Sequence, residues 1–173
     1  MKYAHPTFAV LLALVCGCSA AQMTGADTRL RRLRPDVPVF ILNSGLEEAT
    51  QRVIRDPQEL AQLWQLLVAN SRPAANVPAV DFTQDVVVVV GLGRQRSGGH
   101  TVQIDRVAQR GDALVVHVRA VVPGRGCIVS SAITSPADVA LLRRPSGIVT
   151  FEVETVTVDC PPEQPPAGQG GVP

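Results

Sequence analysis

The chain has 173 residues, a formal net charge of +1 from 16 Lys and Arg against 15 Asp and Glu, and 46% apolar residues. Residues 1–17 have the shape of a removable export signal. Without them 156 residues remain, with 15 arginines, no lysine and 15 acidic residues, enough chain for one domain burying roughly two-thirds of its unfolded surface. The remaining aromatics are Phe40, Trp64, Phe82 and Phe151. A near-neutral chain with so few rings lacks both the basic face and the stacking platform of a nucleic-acid binder. Its apolar residues are spread along the chain, which excludes a polytopic membrane protein.

The leader begins with Lys2, followed by the apolar run Phe8-Ala9-Val10-Leu11-Leu12-Ala13-Leu14-Val15 and then small residues. That run is too short to span a bilayer as a helix and fits a secretory signal. Val15-Cys16-Gly17-Cys18 resembles the bacterial lipobox, an aliphatic residue and two small ones ending in cysteine. The resemblance implies cleavage before Cys18, diacylation of its sulfur and acylation of the new amino terminus. Two or three chains at ~0.8 kcal/mol per buried methylene anchor a protein firmly, where one chain is marginal. Ser19 rather than Asp at the next position implies passage to the outer membrane, facing the periplasm or the cell surface. The alternative is a plain secreted protein with an incidental Cys18.

Residues 18–36 then form a flexible tether with a basic end, Arg29-Leu30-Arg31-Arg32-Leu33-Arg34, closed by Pro35 and Pro38. Its arginines fit anionic headgroups, at ~1 kcal/mol each near such a surface, as well as they fit a solvated linker. Residues 37–160 make a single folded domain, and 161–173 a disordered tail rich in Pro and Gly. With Cys16 lost and Cys18 lipidated, Cys127 and Cys160 remain, and two cysteines in an oxidising compartment most simply pair with each other.

Within the domain, Val37 to Leu42 predicts a strand and Thr50 to Ile54 its hairpin partner. Asp56-Pro57-Gln58-Glu59 supplies an N-cap, a proline at the first helical position and Glu three residues after the cap. Leu60, Leu63, Trp64, Leu67 and Val68 fall on one helical face, so a main helix is expected over about 57–69, with Trp64 in the core. The unbroken β-branched run from Asp85 to Val90 predicts a strand covered on both faces. Thr101 to Val107 and the alternating Leu114, Val116, Val118, Ala120 and Val122 predict two more strands, joined at Gly111-Asp112. Cys127 to Ile133 suits a strand. Beyond it, Ser135-Pro136-Ala137-Asp138 fits a helix cap, whereas Val139 and Leu141 alternate as in a strand. Phe151 and Val153 change phase to Val156 and Val158, which predicts a bulge near Thr155. The class expected is α+β: an antiparallel sheet of about 6–8 strands, sandwich- or barrel-like, packed with one main helix.

No stretch supplies a convincing catalytic constellation. In Gly91-Leu92-Gly93-Arg94-Gln95-Arg96-Ser97-Gly98-Gly99-His100, Gly93 and Gly98 have phosphate-loop spacing, but Gly99 and His100 stand where that loop needs Lys and Ser or Thr. A dinucleotide pattern fails too, because its third glycine falls at Arg96. There is no Gly-x-Ser-x-Gly elbow, and Ser97, His100 and Asp105 crowd one local segment. His100 and His117 lack metal-ligand spacing. Asp81 and Asp85 form an acid/base pair only if buried together, and turns and strand entries commonly carry Asp. No cofactor or metal is expected.

Several segments taken in order resemble the PrcB family, named for an accessory subunit of a bacterial surface protease complex. They are Leu63-Trp64, Val80-Asp81-Phe82, Ser97-Gly98-Gly99-His100, Pro123-Gly124, Cys127-Ile128-Val129 and Ala132-Ile133-Thr134-Ser135-Pro136. The resemblance spans about residues 50–158, and where the family has an aromatic after its paired glycines this chain has His100. It implies no catalytic residues and hence no enzyme. It implies a small extracytoplasmic domain, often lipid-anchored, that binds or stabilises another protein, and it favours extended structure over 136–142. The competing classes are a periplasmic small-molecule or glycan binder using the same glycine-rich loop as a lip, and a cryptic hydrolase. The partner-binding surface expected is that loop, with Arg94, Arg96, Ser97, Gly98, Gly99 and His100; the bland alternative is turn geometry alone.

Overall fold

A computed structural model describes residues 30–33, 40–70 and 75–161. The signal, Cys18, the first part of the tether and the tail beyond Pro161 lie outside these. Eight strands and one helix follow in chain order: β1 (Leu30–Arg32), β2 (Phe40–Ile41), β3 (Ala49–Ile54), α1 (Pro57–Leu67), β4 (Asp85–Leu92), β5 (Thr101–Arg110), β6 (Ala113–Pro123), β7 (Ala137–Arg143) and β8 (Val149–Val158). They form two sheets. One has the order β1-β7-β4-β3, with β2 also on β7; the other has the order β5-β6-β8.

The five-stranded sheet is the middle of three layers, and β4 shows why. Val87 and Val89 pack with Leu60, Leu63, Trp64 and Leu67 of α1. Val86, Val88 and Val90 face the other way, against Val102, Ile104, Leu114, Val116 and Val118 of the smaller sheet. All five valines of β4 are at most 1% exposed, as the unbroken apolar run requires of a strand covered on both faces. The fold is therefore mostly β with a single helix. A helix, a five-stranded sheet and a three-stranded sheet are stacked, and neither sheet closes into a barrel.

Helix α1 begins as its sequence predicts. Asp56 Oδ1 accepts from the N–H groups of Gln58 and Glu59 at 3.0 and 2.8 Å. The reciprocal half of the capping box is not made, because the Glu59 carboxylate accepts from Arg52 of β3 at 2.5 Å. The helix stops at Leu67, two residues short of the expected end, where the Val68 N–H still reaches Trp64 O at 3.0 Å. Trp64 is buried, and its indole N–H donates to Ala75 O at 3.0 Å.

Long-range pairing departs from the sequence expectations at several points. β2 and β3 do not form a hairpin: β2 pairs with β7, and β3 with β4. Strand β8 runs parallel to β6 through ten register pairs, Leu114↔Val149 to Pro123↔Val158. Between them the chain crosses to the larger sheet to form β7, and only such a crossover can return a strand in the parallel sense. That same register is unbroken at Thr155. The sheet's bulge lies instead in β5, between Ile104 and Arg106. The phase change in β8 has a simpler cause: beyond Phe151 the strand leaves the core, and Val153 and Val158 are 45% and 44% exposed. Cys127 to Ile133 is irregular rather than a strand, whereas residues 137–143 are extended as β7.

The tether also needs correction. Leu30–Arg32 are β1, antiparallel to β7, and Leu33 is buried in the helix-side core. The folded unit thus includes residues the composition had assigned to a flexible basic linker. Arg31 and Arg32 are anchored by carboxylates, Arg31 by Asp85 and Arg32 by Asp138. Asp138, 3% exposed, also accepts from the Ile104 N–H at 2.7 Å, and Arg32 donates to Ile104 O at 3.0 Å. Both peptide groups of Ile104, at the edge of β5, are thereby satisfied by side chains of the other sheet.

Candidate functional site

The glycine-rich loop leaves β4 at Leu92 and enters β5 at Thr101. Its start is fixed by the chain before β3, since the Arg94 N–H donates to Glu47 O at 3.0 Å. Its middle lies along the segment that follows Cys127. Gln95 and Thr134 exchange backbone hydrogen bonds at 2.7 and 3.1 Å, and the Gly98 N–H reaches Ser130 O at 2.9 Å. Thr134 Oγ1 donates to Ser97 O at 2.9 Å. Gly99 has φ +82, and a Cβ there would stand 2.8 Å from Val129 Cγ1 and 3.3 Å from Pro123. Positive φ and close packing coincide, so backbone and neighbours both favour glycine here.

A second fastening comes from the disulfide Cys127–Cys160, with a Cα–Cα distance of 4.8 Å. It joins this segment to the end of β8. Around it the Cys160 N–H donates to Arg125 O and the Gly124 N–H to Val158 O, at 2.9 and 2.8 Å. The Arg125 N–H donates to Asp159 Oδ1 at 2.8 Å.

Arg94, Arg96, Ser97, Gly98, Gly99 and His100 are thus brought to one end of the molecule. Arg94 and Arg96 are exposed, Ser97 and His100 half-buried, and Gly98 buried. The Arg94 guanidinium stands 3.8 Å from the Glu47 carboxylate. The side chains of Arg96 and His100 have no hydrogen-bond or ion-pair partner among the described residues.

The other sequence candidates are dispersed. His117 on β6 stands opposite Arg106, not beside His100, and its Nδ1 is 3.5 Å from Glu152 Oε2. Glu152 also accepts from Arg110, and that hydrogen bond chiefly holds its carboxyl below the ordinary carboxylate range. An open depression of about 560 Å³ lies over this ladder, lined by both signs of charge. Asp81 and Asp85 are not an acid/base pair. Asp81 is exposed and closes a turn, accepting from the Thr83 N–H and Oγ1, with its pKa lowered first by the Thr83 hydroxyl. Asp85 is buried at the entry to β4 and holds Arg31. Among the described residues no three His, Cys, Asp or Glu side chains gather to hold a metal ion. No helix there is long and apolar enough to cross a membrane.

Sequence reasoning missed the apolar part of this end. Ile128 is 84% exposed, Ile133 50% and Val129 36%. Read as a strand, Cys127 to Ile133 buries half its side chains; as an irregular segment it presents them. The available signal was the absence of any acidic residue from 91–100 and 123–134, beside Arg94, Arg96 and Arg125.

No curated protein and no solved structure matches the chain. Residues 86–142, from the second residue of β4 to the penultimate residue of β7, match the model of a family described as PrcB C-terminal, the same family that the ordered sequence motifs resemble.

Proposed function

We propose that the chain is a non-enzymatic, lipid-anchored accessory domain of the bacterial cell envelope that contacts or stabilises a partner protein within a protease complex. The match of residues 86–142 to the PrcB C-terminal family carries this reading, because that span holds the glycine-rich loop and the segment packed on it. The lipobox ending at Cys18 supports the anchor and a position on the outer membrane. The rigid fastening of an otherwise irregular end supports contact rather than chemistry, since an interface needs side chains held in place before the partner arrives.

The test uses the full lipidated chain. Crosslinking in native membranes followed by solubilisation should recover one protein in stoichiometric yield, and deletion of the chain should shorten that protein's lifetime. Recovery of no stoichiometric protein, with a bound glycan or small molecule instead, would favour the periplasmic binder. Turnover of a hydrolase substrate lost with Ser97→Ala or His100→Ala would favour the enzyme. Cys18→Ser should abolish palmitate labelling, and unchanged labelling would remove the lipid anchor.

A further inference from the structure

Three of the nine exposed large hydrophobic side chains among the described residues, Ile128, Val129 and Ile133, fall within six residues of one another in sequence. They lie on the segment that the disulfide and the Gly98–Ser130 and Gln95–Thr134 hydrogen bonds hold in place. Ordering such side chains against water is unfavourable unless something covers them, and exposed apolar side chains gathered on one fastened segment point to an interaction site.

The surroundings say what covers it. The bridge between Gln95 and Thr134 sets Arg96 alongside Ile133, and Arg125 is two residues from Cys127. The side chains of Arg96 and Arg125 have no partner among the described residues, and residues 91–100 and 123–134 contain no acid. One acid stands at this end, Asp159, whose Oδ1 takes the Arg125 N–H; against it Arg96 and Arg125 together leave the balance positive. Unpaired guanidinium forks match carboxylates. The backbone narrows the choice further. The N–H groups of Ile128, Val129, Ser130 and Ser131 have no hydrogen-bond partner among the described residues. Water or the main chain of a protein satisfies such groups, whereas lipid hydrocarbon leaves them unpaired at a cost of several kcal/mol each. A bilayer is therefore a poor cover, and a protein segment with free peptide groups of its own a good one.

Resting on the accessory reading above, we infer that this end of the molecule, with Ile128 and Ile133 at its centre and Arg96 and Arg125 at its rim, docks an extended segment of the partner protein in which acidic residues flank an apolar one. Main-chain hydrogen bonds to residues 128–131 align the segment. Its apolar side chain covers the isoleucines, and its carboxylates neutralise the arginines.

Site-specific photo-crosslinking on the full chain in native membranes tests this. Ile128→p-benzoylphenylalanine should capture one protein segment, and mass spectrometry of the adduct should find Asp or Glu beside an apolar residue. The same substitution at Glu154, exposed in the middle of β8 opposite Arg119, should capture nothing in that segment. Ile128→Ser with Ile133→Ser should reduce capture through a chemical crosslinker by about tenfold or more, as removal of a central apolar anchor does. Arg96→Glu with Arg125→Glu should reduce it comparably and abolish its decline with added salt. Unchanged melting temperatures would show that these variants remain folded. A basic captured segment, a lipid adduct at position 128, or undiminished capture by both double variants would overturn the docking face. If a stoichiometric partner is still recovered in the last case, the accessory function survives and only its site is wrong. Recovery of no protein through any position would remove both.

Discussion

Among single residues, two glycines separate backbone strain from crowding. Gly93 and Gly99 both have positive φ, +68 and +82, but a Cβ meets different neighbours at each. At Gly93 it would stand 2.6 Å from the carbonyl carbon of Glu48 and 2.8 Å from the Ala49 nitrogen, at the entry to β3. Backbone paired into a sheet cannot retreat. At Gly99 the nearest atom is the side-chain methyl of Val129, on a partly exposed residue outside any strand. Gly99→Ala should therefore cost little beyond the left-handed backbone penalty, ~1–2 kcal/mol. Gly93→Ala should cost about 3 kcal/mol or more, since strain and steric displacement act together. Urea midpoints at constant m measure the difference. Equal midpoints would mean that the β3 entry yields as easily as the loop.

Among the elements, the contact between the two sheets combines apolar packing with a buried charged side chain. Asp138 takes Arg32 from β1 and the Ile104 N–H from β5 at once. Asp138→Ala leaves that N–H unpaired in a buried place and frees Arg32, whose side chain is 36% exposed and can turn to water. A loss of about 3 kcal/mol is expected in chemical denaturation. A loss below about 1 kcal/mol would show that the sheets are held by apolar packing alone. On the outer face of the smaller sheet, Glu152 gives a pH signature. Its folded pKa is depressed, chiefly by the Arg110 hydrogen bond, so its stabilisation is present above the ordinary value near 4.5 and is lost as pH falls through the lower folded value. Glu152→Gln should flatten that acid limb of the stability profile, and an unchanged limb would assign acid sensitivity to other carboxylates. These elements also mark how far periodicity carries. Helix α1 and strand β4 were legible because apolar spacing and an unbroken valine run are local signals. β1 was not, because a three-residue strand inside Arg29-Leu30-Arg31-Arg32 has the composition of a linker until Asp85 and Asp138 arrive from far along the chain. The parallel pairing of β6 with β8 was equally hidden, since it depends on where β7 goes.

For the whole molecule, the glycine-rich loop was legible as a turn, and Cys127 with Cys160 as a pair, while the surface they jointly build was not. Ile128 becomes an exposed side chain only once Cys127 to Ile133 is known to run outside both sheets. The disulfide that fixes this segment encloses β7, the strand flanked by β4 on one side and by β1 and β2 on the other. With a sequence separation of 33, the bond removes loop entropy from the unfolded chain worth on the order of 4 kcal/mol. Both cores draw on β4 and β7, one adding α1 and the other the smaller sheet, and neither includes a cysteine. The double variant Cys127→Ser, Cys160→Ser should therefore still fold, with its urea midpoint lowered by about 4 kcal/mol divided by m. Native hydrogen exchange should rise most over 124–134 and 157–160, and least in β4, which all five of its valines hold in the core. An unfolded variant would mean that the disulfide supplies more than loop entropy. A folded variant with unchanged exchange over 124–134 would mean that the backbone hydrogen bonds to Gln95 and Gly98 hold this end without it, and the disulfide would then have no part in presenting Ile128.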